Sequence, residues 1–301
     1  MNVETLNISS ANQSSTKVPE VPLTRLDTLW MQVGGTLCNL SCTHCFISCG
    51  PKNLSHPMMT LAQVRTYLEE SGRLGVKDYY LTGGEVFLNP EIFEIYEAIL
   101  EYGPCNNLTN GTLITREKAG RLREIQSRAK HGLHFRISME SHDEEANDKI
   151  RGKNSYRLAL KGVRNLAEAG FSPILTVTRS WDEDKDAEME ELLLDLLRQN
   201  NVTQPRVKIL PGFLIGRLSE TERPYNKEER VTEKCFADYP ITNLQCSSSR
   251  MATAKGVYVC PILVEENMGR MGDSIEETLR PYPLAHSACY TCRVSGMTCK
   301  S

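Results

Sequence analysis

The chain has 301 residues, 40% of them hydrophobic and 24% charged, enough for one large α/β domain or two modest ones and too apolar for a disordered or fibrous protein. Acidic and basic residues number 38 and 35, a net charge of -3 with no long run of Lys and Arg, which argues against binding driven by nucleic-acid phosphates. No apolar run approaches the ~18 residues that span a bilayer, and the polar start lacks a secretory hydrophobic stretch, so a soluble, cytoplasmic protein with neither membrane nor nucleic-acid partner is expected.

Residues 1–23 are rich in Ser, Thr and Asn without an apolar period and are expected to form a flexible leader. From Leu29 onward short apolar runs alternate with amphipathic stretches. Leu29–Val33, Tyr79–Leu81, Asn107–Thr109, His134–Met139, Pro173–Thr178 and Arg206–Leu210 read as six strands. Between them, Thr60 caps a helix carrying Leu61, Val64 and Leu68, and Pro90 opens one carrying Phe93, Tyr96 and Ile99 that ends near Gly103. Thr115 caps Arg116–Lys130; Leu158, Val163 and Leu166 repeat at helical spacing before Gly170, as do Met189, Leu192, Leu193 and Leu196. Repeated strand–helix order implies a parallel sheet covered by helices, and six units are fewer than a closed barrel needs. The expected fold is therefore a partial (β/α)6 TIM-like barrel over residues 24–218, although a doubly wound sheet satisfies the same periodicity.

Eleven cysteines are too many for an ordinary cytosolic enzyme, and in a reducing compartment such thiols more often bind metal than pair. Cys38, Cys42 and Cys45 stand in CNLSCTHC directly after the first strand. Three thiolates from one short loop suit three irons of a [4Fe–4S] cube and leave the fourth iron open to a small chelating molecule. Zinc is the alternative, with His44 inside the loop. Cys49 is read as a bystander; as a fourth ligand it would close the vacancy. Cys105 and Cys235 are read as ordinary thiols.

CNLSCTHC resembles the signature of the radical S-adenosylmethionine (radical SAM) superfamily, in which the residue before the third cysteine is usually aromatic, a place His44 fills. Further segments resemble the family in order: Gly83-Gly84-Glu85, with Val86 where proline often follows, then TNG at Thr109–Gly111, ISMES at Ile137–Ser141 and KIRG at Lys149–Gly152. The resemblance covers roughly residues 28 to 217. It implies that Glu85 accepts hydrogen bonds from the methionyl amine of SAM, with Gly83 and Gly84 letting the backbone approach. It further implies that Ser138 and Glu140 reach the ribose hydroxyls and that Arg151 pairs with the SAM carboxylate. By the same resemblance, an electron from a donor such as ferredoxin or flavodoxin would break the sulfonium–C5′ bond of cluster-bound SAM. The resulting 5′-deoxyadenosyl radical would take a hydrogen atom from the substrate.

After residue 218 the pattern changes, and residues 219–301 are expected to form a small Cys-rich domain of a β-hairpin and a helix. Met251–Thr253, a Lys255-Gly256 turn and Val257–Val259 read as the hairpin, which brings Cys246 to Cys260. A helix at Ser274–Leu279 would return the chain to Cys289 and Cys292. This segment resembles the auxiliary-cluster domains of radical SAM enzymes, called SPASM with two clusters and twitch with one. The truncated form fits better, with a second [4Fe–4S] cluster on Cys246, Cys260, Cys289 and Cys292; a zinc knuckle on the same thiolates is the alternative. Cys299 is left as a tail cysteine, a replacement ligand or a hydrogen donor.

An auxiliary cluster that accepts an electron suits net oxidation, so dehydrogenation of a small molecule is the expected reaction. A SPASM-type peptide maturase that forms a thioether, another crosslink or an epimer is the alternative. Because some 28 residues precede the first strand, a separate leader-recognition domain of ~80 residues is not expected. A non-catalytic iron–sulfur or zinc-binding protein remains as a reading from another class.

Overall fold

The computed structural model describes residues 17–296. Eleven strands lie at β1 (Glu20–Val21), β2 (Thr28–Met31), β3 (Asp78–Leu81), β4 (Cys105–Thr109), β5 (Leu133–Ser138), β6 (Ile174–Thr178), β7 (Arg206–Leu210), β8 (Ser249–Thr253), β9 (Gly256–Tyr258), β10 (Arg270–Gly272) and β11 (Tyr282–Pro283). The helices are α1 (Leu61–Arg73), α2 (Ile92–Ile99), α3 (Arg116–Arg128), α4 (Glu144–Arg151), α5 (Ser155–Glu168), α6 (Asp186–Gln199), α7 (Arg217–Thr221) and α8 (Ala288–Ser295). All six expected strands form, as β2 to β7, and pair in chain order, each parallel to the next.

Side-chain alternation gives this sheet two unlike faces. Leu29, Met31, Tyr79, Leu81, Phe135, Ile137, Leu175 and Val177 point outward into one continuous core with the apolar stripes of α1 to α6. Leu68 of α1 is fully buried there, a contribution of about 2 kcal/mol from its side chain. The start of α1 is fixed by a capping box: Thr60 accepts from the Gln63 amide, and the Gln63 side chain accepts from the Thr60 amide. Thr115 caps α3 in the same way through the Lys118 amide. The opposite face carries Trp30, Leu108, Arg136, Thr176 and Leu210 from five strands around a single cavity. The sheet is thus curled into a partial barrel, with β7 and β10 as its two edges.

Several expectations are corrected. The leader was placed over residues 1–23; residues 1–16 lie outside the described part, but β1 pairs with β11 and Val21 is buried, so the last residues of that stretch are structured. The hairpin does not stand apart from the barrel: β8 runs parallel to β2 over four residue pairs, and β9 and β10 continue the same nine-stranded sheet. Residue 218 is therefore no boundary of the sheet. Thr253 pairs with Gly256, moving the turn to Ala254-Lys255, one residue earlier than expected. The helix at Ser274–Leu279 is only a single 3-10 turn, Glu276–Thr278. Pro90 precedes α2 but is preceded in turn by another 3-10 turn, Val86–Leu88.

Candidate functional site

The cysteine loop leaves β2 through Gly34 and Gly35 and is held against the end of β3. The Gly84 amide donates to Gly35 O (2.8 Å) and the Glu85 amide to Leu37 O (3.0 Å). A Cβ on Gly84 would lie 2.1 Å from Leu37 O and 2.9 Å from the Cys38 Cβ. The Gly pair was expected to admit the cofactor; first of all it admits the cysteine loop. From the far side, Gly216 (φ +56°) approaches so closely that a Cβ would meet Phe46 O at 2.4 Å. The Arg217 amide donates to Cys45 O (3.1 Å), so the turn after β7 clamps the loop.

Cys38, Cys42 and Cys45 then line the mouth of a cavity of about 210 Å³. Cys38 Sγ accepts from the Leu40 amide (3.4 Å) and from Asn110 Nδ2 (3.7 Å), and Cys42 Sγ lies 4.0 Å from an Arg151 Nη1. Burial pushes the Cys38 thiol up to about 12. Cys45 is held at about 5, first by a hydrogen bond from the Cys49 thiol, and its sulfur also accepts from the Cys49 amide (3.3 Å). Cys49, read as a bystander, thus lines the same cavity.

Of the other expected residues, Gly83, Gly84, Ser138 and Arg151 line this cavity, whereas Glu85 and Glu140 stand behind its wall. Glu85 is fully buried, and its oxygens accept from Thr109 Oγ1 (2.6 Å), the Asn110 amide (2.9 Å) and the Phe87 amide (3.1 Å). It ties TNG to the end of β3 instead of presenting a carboxylate to the cavity. Glu140 accepts from Arg151 Nε (2.8 Å), His44 Nε2 (2.8 Å) and the Thr178 amide (2.8 Å). Ser138 and Glu140 were expected to act together on a ribose; only Ser138 faces the space where one would lie. Burial alone would raise the Glu140 carboxyl, but Arg151 and then His44 outweigh it and hold it below the ordinary range. Glu140 is therefore a positioning residue for Arg151 and His44.

Among the cavity-lining residues outside the expected site set are Trp30, His44, Arg136 and Arg217. The signal for Arg136 was present, since it lies two residues before Ser138 on the same face of β5. Trp30 Nε1, His44 Nδ1 and Arg217 Nε are buried without a hydrogen-bond partner, and buried polar atoms of that kind call for a ligand or water. Among the described residues lining the cavity there is no carboxylate, against three arginines.

A second cavity is walled by Cys246, Cys260, Cys289 and Cys292 together with Leu244, Val259 and Tyr282. The hairpin and α8 bring the four sulfurs to it, and burial raises the Cys260 and Cys289 thiols. Among the described residues no three Cys, His, Asp or Glu groups converge closely enough to hold a single metal ion; what the sulfurs share is a cavity wall. Pro261 and Ile262 line both cavities. Cys105 is buried in the outer core, and Cys235 packs against the cluster of residues around the second cavity. Cys299 lies outside the described residues.

A partial α/β barrel with a sulfur-fringed mouth defines a class of cofactor-using barrels in which the reaction space lies at the carboxyl ends of the strands. Residues 33–196, more than half of the chain, match the radical SAM superfamily, and the chain belongs to that superfamily. Membership implies a [4Fe–4S] cluster and SAM. The donor set suits both: three cysteine sulfurs from one loop, and a cavity whose buried polar atoms lack partners. Mycofactocin maturase MftC of Mycobacterium tuberculosis is 32% identical over 138 residues, 46% of this chain and 34% of that protein. The antilisterial bacteriocin subtilosin biosynthesis protein AlbA of Bacillus subtilis is 30% identical over 136 residues, 44% of this chain and 29% of that protein. The matched segment thus spans about a third of each of these curated relatives. Streptococcus suis SuiB bound to S-adenosylmethionine shares the fold, with a TM-score of 0.61 at 18% identity over 82% of this chain and 63% of that one. No helix among the described residues is long and apolar enough to cross a membrane.

Proposed function

We propose that this radical SAM enzyme modifies a peptide, holding one [4Fe–4S] cluster on Cys38, Cys42 and Cys45 and a second on Cys246, Cys260, Cys289 and Cys292. The two cofactors together supply reductive cleavage of SAM to a 5′-deoxyadenosyl radical and, at the second cluster, a sink for one electron. What carries the reading is a shared lining: Pro261 and Ile262 line both the cavity that holds Ser138 and Arg151 and the one walled by the four cysteines. A residue held in the first space lies beside an electron acceptor.

The chain's own residues divide the remaining tasks. Gly83 and Gly84 leave only backbone on their part of the cavity wall, so main-chain carbonyls meet the SAM ammonium and the Glu85 side chain does not. Glu140 aims the Arg151 guanidinium at the SAM carboxylate, and Ser138 offers a hydroxyl to the ribose. The apolar wall of Trp30, Leu108, Leu210 and Phe213 excludes water and other hydrogen donors. Peptide work is favoured over the small-molecule oxidation expected earlier because MftC and AlbA are maturation and bacteriocin-biosynthesis proteins, and SuiB has been solved bound to its precursor peptide SuiA.

Anaerobic reconstitution, an iron count and reaction with SAM and dithionite test this. The expected result is about eight irons per chain, formation of 5′-deoxyadenosine, and loss of two hydrogens from a peptide encoded beside the gene. Absence of 5′-deoxyadenosine removes the radical reading. About four irons removes the second cluster. Turnover on a small molecule with every such peptide inert restores the earlier expectation.

A further inference from the structure

Arg250 lies on β8 opposite Leu29 of β2 and is fully buried. Its guanidinium reaches the backbone of Cys246, which walls the second cavity. Nη1 donates to Cys246 O (2.7 Å) and Ser249 O (2.7 Å), Nε to Thr278 O (3.1 Å), and Nη2 to Arg280 O (3.0 Å). Each of these acceptors is a neutral carbonyl. The bonds satisfy the N–H groups, but among the described residues none of them reaches a carboxylate, and a buried charge calls for an opposite one.

The groups of opposite sign that act on it are sulfurs. Burial pulls the guanidinium down to about 10, and Cys246 and Cys260 act in the opposite direction. It stays a cation at neutral pH. The influence is mutual, since Arg250 lowers the Cys260 thiol that burial raises. Arg280 is the other cation acting on Arg250, but it is exposed and water screens it. Cys246 and Cys260 in turn act on Cys289, so the buried cation lies beside a group of sulfurs. Its carbonyl bonds also hold it in place, because they join the Cys246 segment to the 3-10 turn Glu276–Thr278. A cluster that takes up one electron gains one unit of negative charge. A fixed cation beside it therefore favours the reduced form and raises the reduction potential.

We propose that Arg250 is the buried countercharge of the second cluster and sets that cluster's potential high enough to accept an electron from the substrate radical. The substrate gives one hydrogen atom to the 5′-deoxyadenosyl radical; the radical left behind loses one electron to the cluster and one proton, closing its new bond. Arg250 is a positioning residue, touching the Cys246 backbone and not the substrate. This rests on the two-cluster reading and deepens it.

A redox titration of the reconstituted full chain, followed by electron paramagnetic resonance, tests this, the second cluster being the one whose signal SAM leaves unchanged. At a fixed potential, Arg250→Gln should lower the reduced-to-oxidised ratio of that cluster at least tenfold, a shift of about 59 mV for one electron. Arg250→Lys, which keeps the charge and loses the planar bonds, should recover most of the difference. An unchanged potential in Arg250→Gln overturns the proposal, and so does a Lys variant shifted as far as the Gln variant, since the hydrogen bonds and not the charge would then be at work. Should a variant fail to take up the second cluster, the same substitution is placed in a chain with Cys246, Cys260, Cys289 and Cys292 changed to Ser. If that chain stays a discrete folded species, the loss belongs to the charge missing beside the sulfurs. If it aggregates, Arg250 is a structural tie and the proposal falls. About four irons in the unaltered chain removes the second cluster and the proposal with it, whereas about eight irons with an unshifted Gln variant overturns the proposal alone.

Discussion

Glu140 and Glu85 are both buried carboxylates beside the cavity, yet they hold different things. Glu140 carries the ion pair with Arg151 and the bond from His44. Glu140→Gln leaves a buried guanidinium without its countercharge, a loss of about 3–5 kcal/mol. Its folded pKa lies below the ordinary 4.5. Its contribution is therefore complete above that value and disappears as the pH falls through the lower, folded one. Thermal melts of the cluster-free chain should show the widest gap between wild type and Glu140→Gln near neutral pH, narrowing only as the pH falls through the lowered folded value and the wild-type carboxyl takes up its proton. A gap that widens on acidification would contradict this account. Glu85 has no cation in contact; it accepts three hydrogen bonds, one of them from each of two backbone amides. In Glu85→Gln one of the new N–H groups must face a donor that the carboxylate accepted, costing about 1–3 kcal/mol. The measurable result is a lower melting temperature, with SAM affinity falling less than in Gly84→Ala, where the added carbon collides with the cysteine loop itself.

At the scale of elements, the turn between β7 and α7 works as a clamp. Gly216→Ala places a methyl 2.4 Å from Phe46 O and 2.7 Å from Cys45 O, at a φ of +56° that L side chains rarely adopt. The expected outcome is a chain that keeps its far-ultraviolet circular dichroism but loses about four irons on reconstitution, because the cysteine loop moves and the sheet does not. Retention of full iron content would show that the contact is dispensable. The sequence places Gly216-Arg217 after the sixth strand, near where a substrate should lie or as packing, but does not show that it clamps the cysteine loop. The strands were legible because their outward faces carry an uninterrupted apolar set, Leu29, Leu81, Phe135, Ile137 and Leu175, and the motif glycines fall at their carboxyl ends. Alternation likewise placed Ser138 facing the cavity. It could not say that the Glu140 oxygens would be taken by Arg151, His44 and Thr178, since that depends on where α4 and β6 come to lie. Helix α4 itself, EEANDKIR, has Ile150 as its one strongly apolar residue, too weak a stripe to mark a helix by periodicity. Its placement comes from Asp143 at the N-cap and from Asn147, which accepts from the Glu140 amide.

Across the whole molecule, the attachment of the hairpin matters most, because it joins what composition divides. β8 pairs with β2 in four residue pairs from Thr28–Ser249 to Met31–Ala252, and every residue of β2 is buried. The composition changes near residue 218, but the sheet runs through it, and pairing between residues more than two hundred positions apart leaves no local pattern to read. A chain ending after residue 218 would keep strands β2 to β7 and helices α1 to α6. It would lose β8, β9 and the burial of Met251, Ala252 and Val257, about 1–3 kcal/mol for each of the two larger side chains. It would also present the unpaired backbone of β2, beside Trp30, as a bare edge open to pairing with another chain. We expect this truncated chain to elute as large aggregates in size-exclusion chromatography and to yield little soluble protein. The full chain with Cys246, Cys260, Cys289 and Cys292 all changed to Ser keeps β8 and should retain more soluble, discrete protein, while binding about four irons instead of eight. If the truncated barrel instead elutes as a discrete species with the stability of the full chain, the hairpin is an appendage and β2 is a tolerated edge. If the four-serine chain aggregates as fully as the truncated one, then metal at the second cavity, and not strand pairing, is what holds that edge closed.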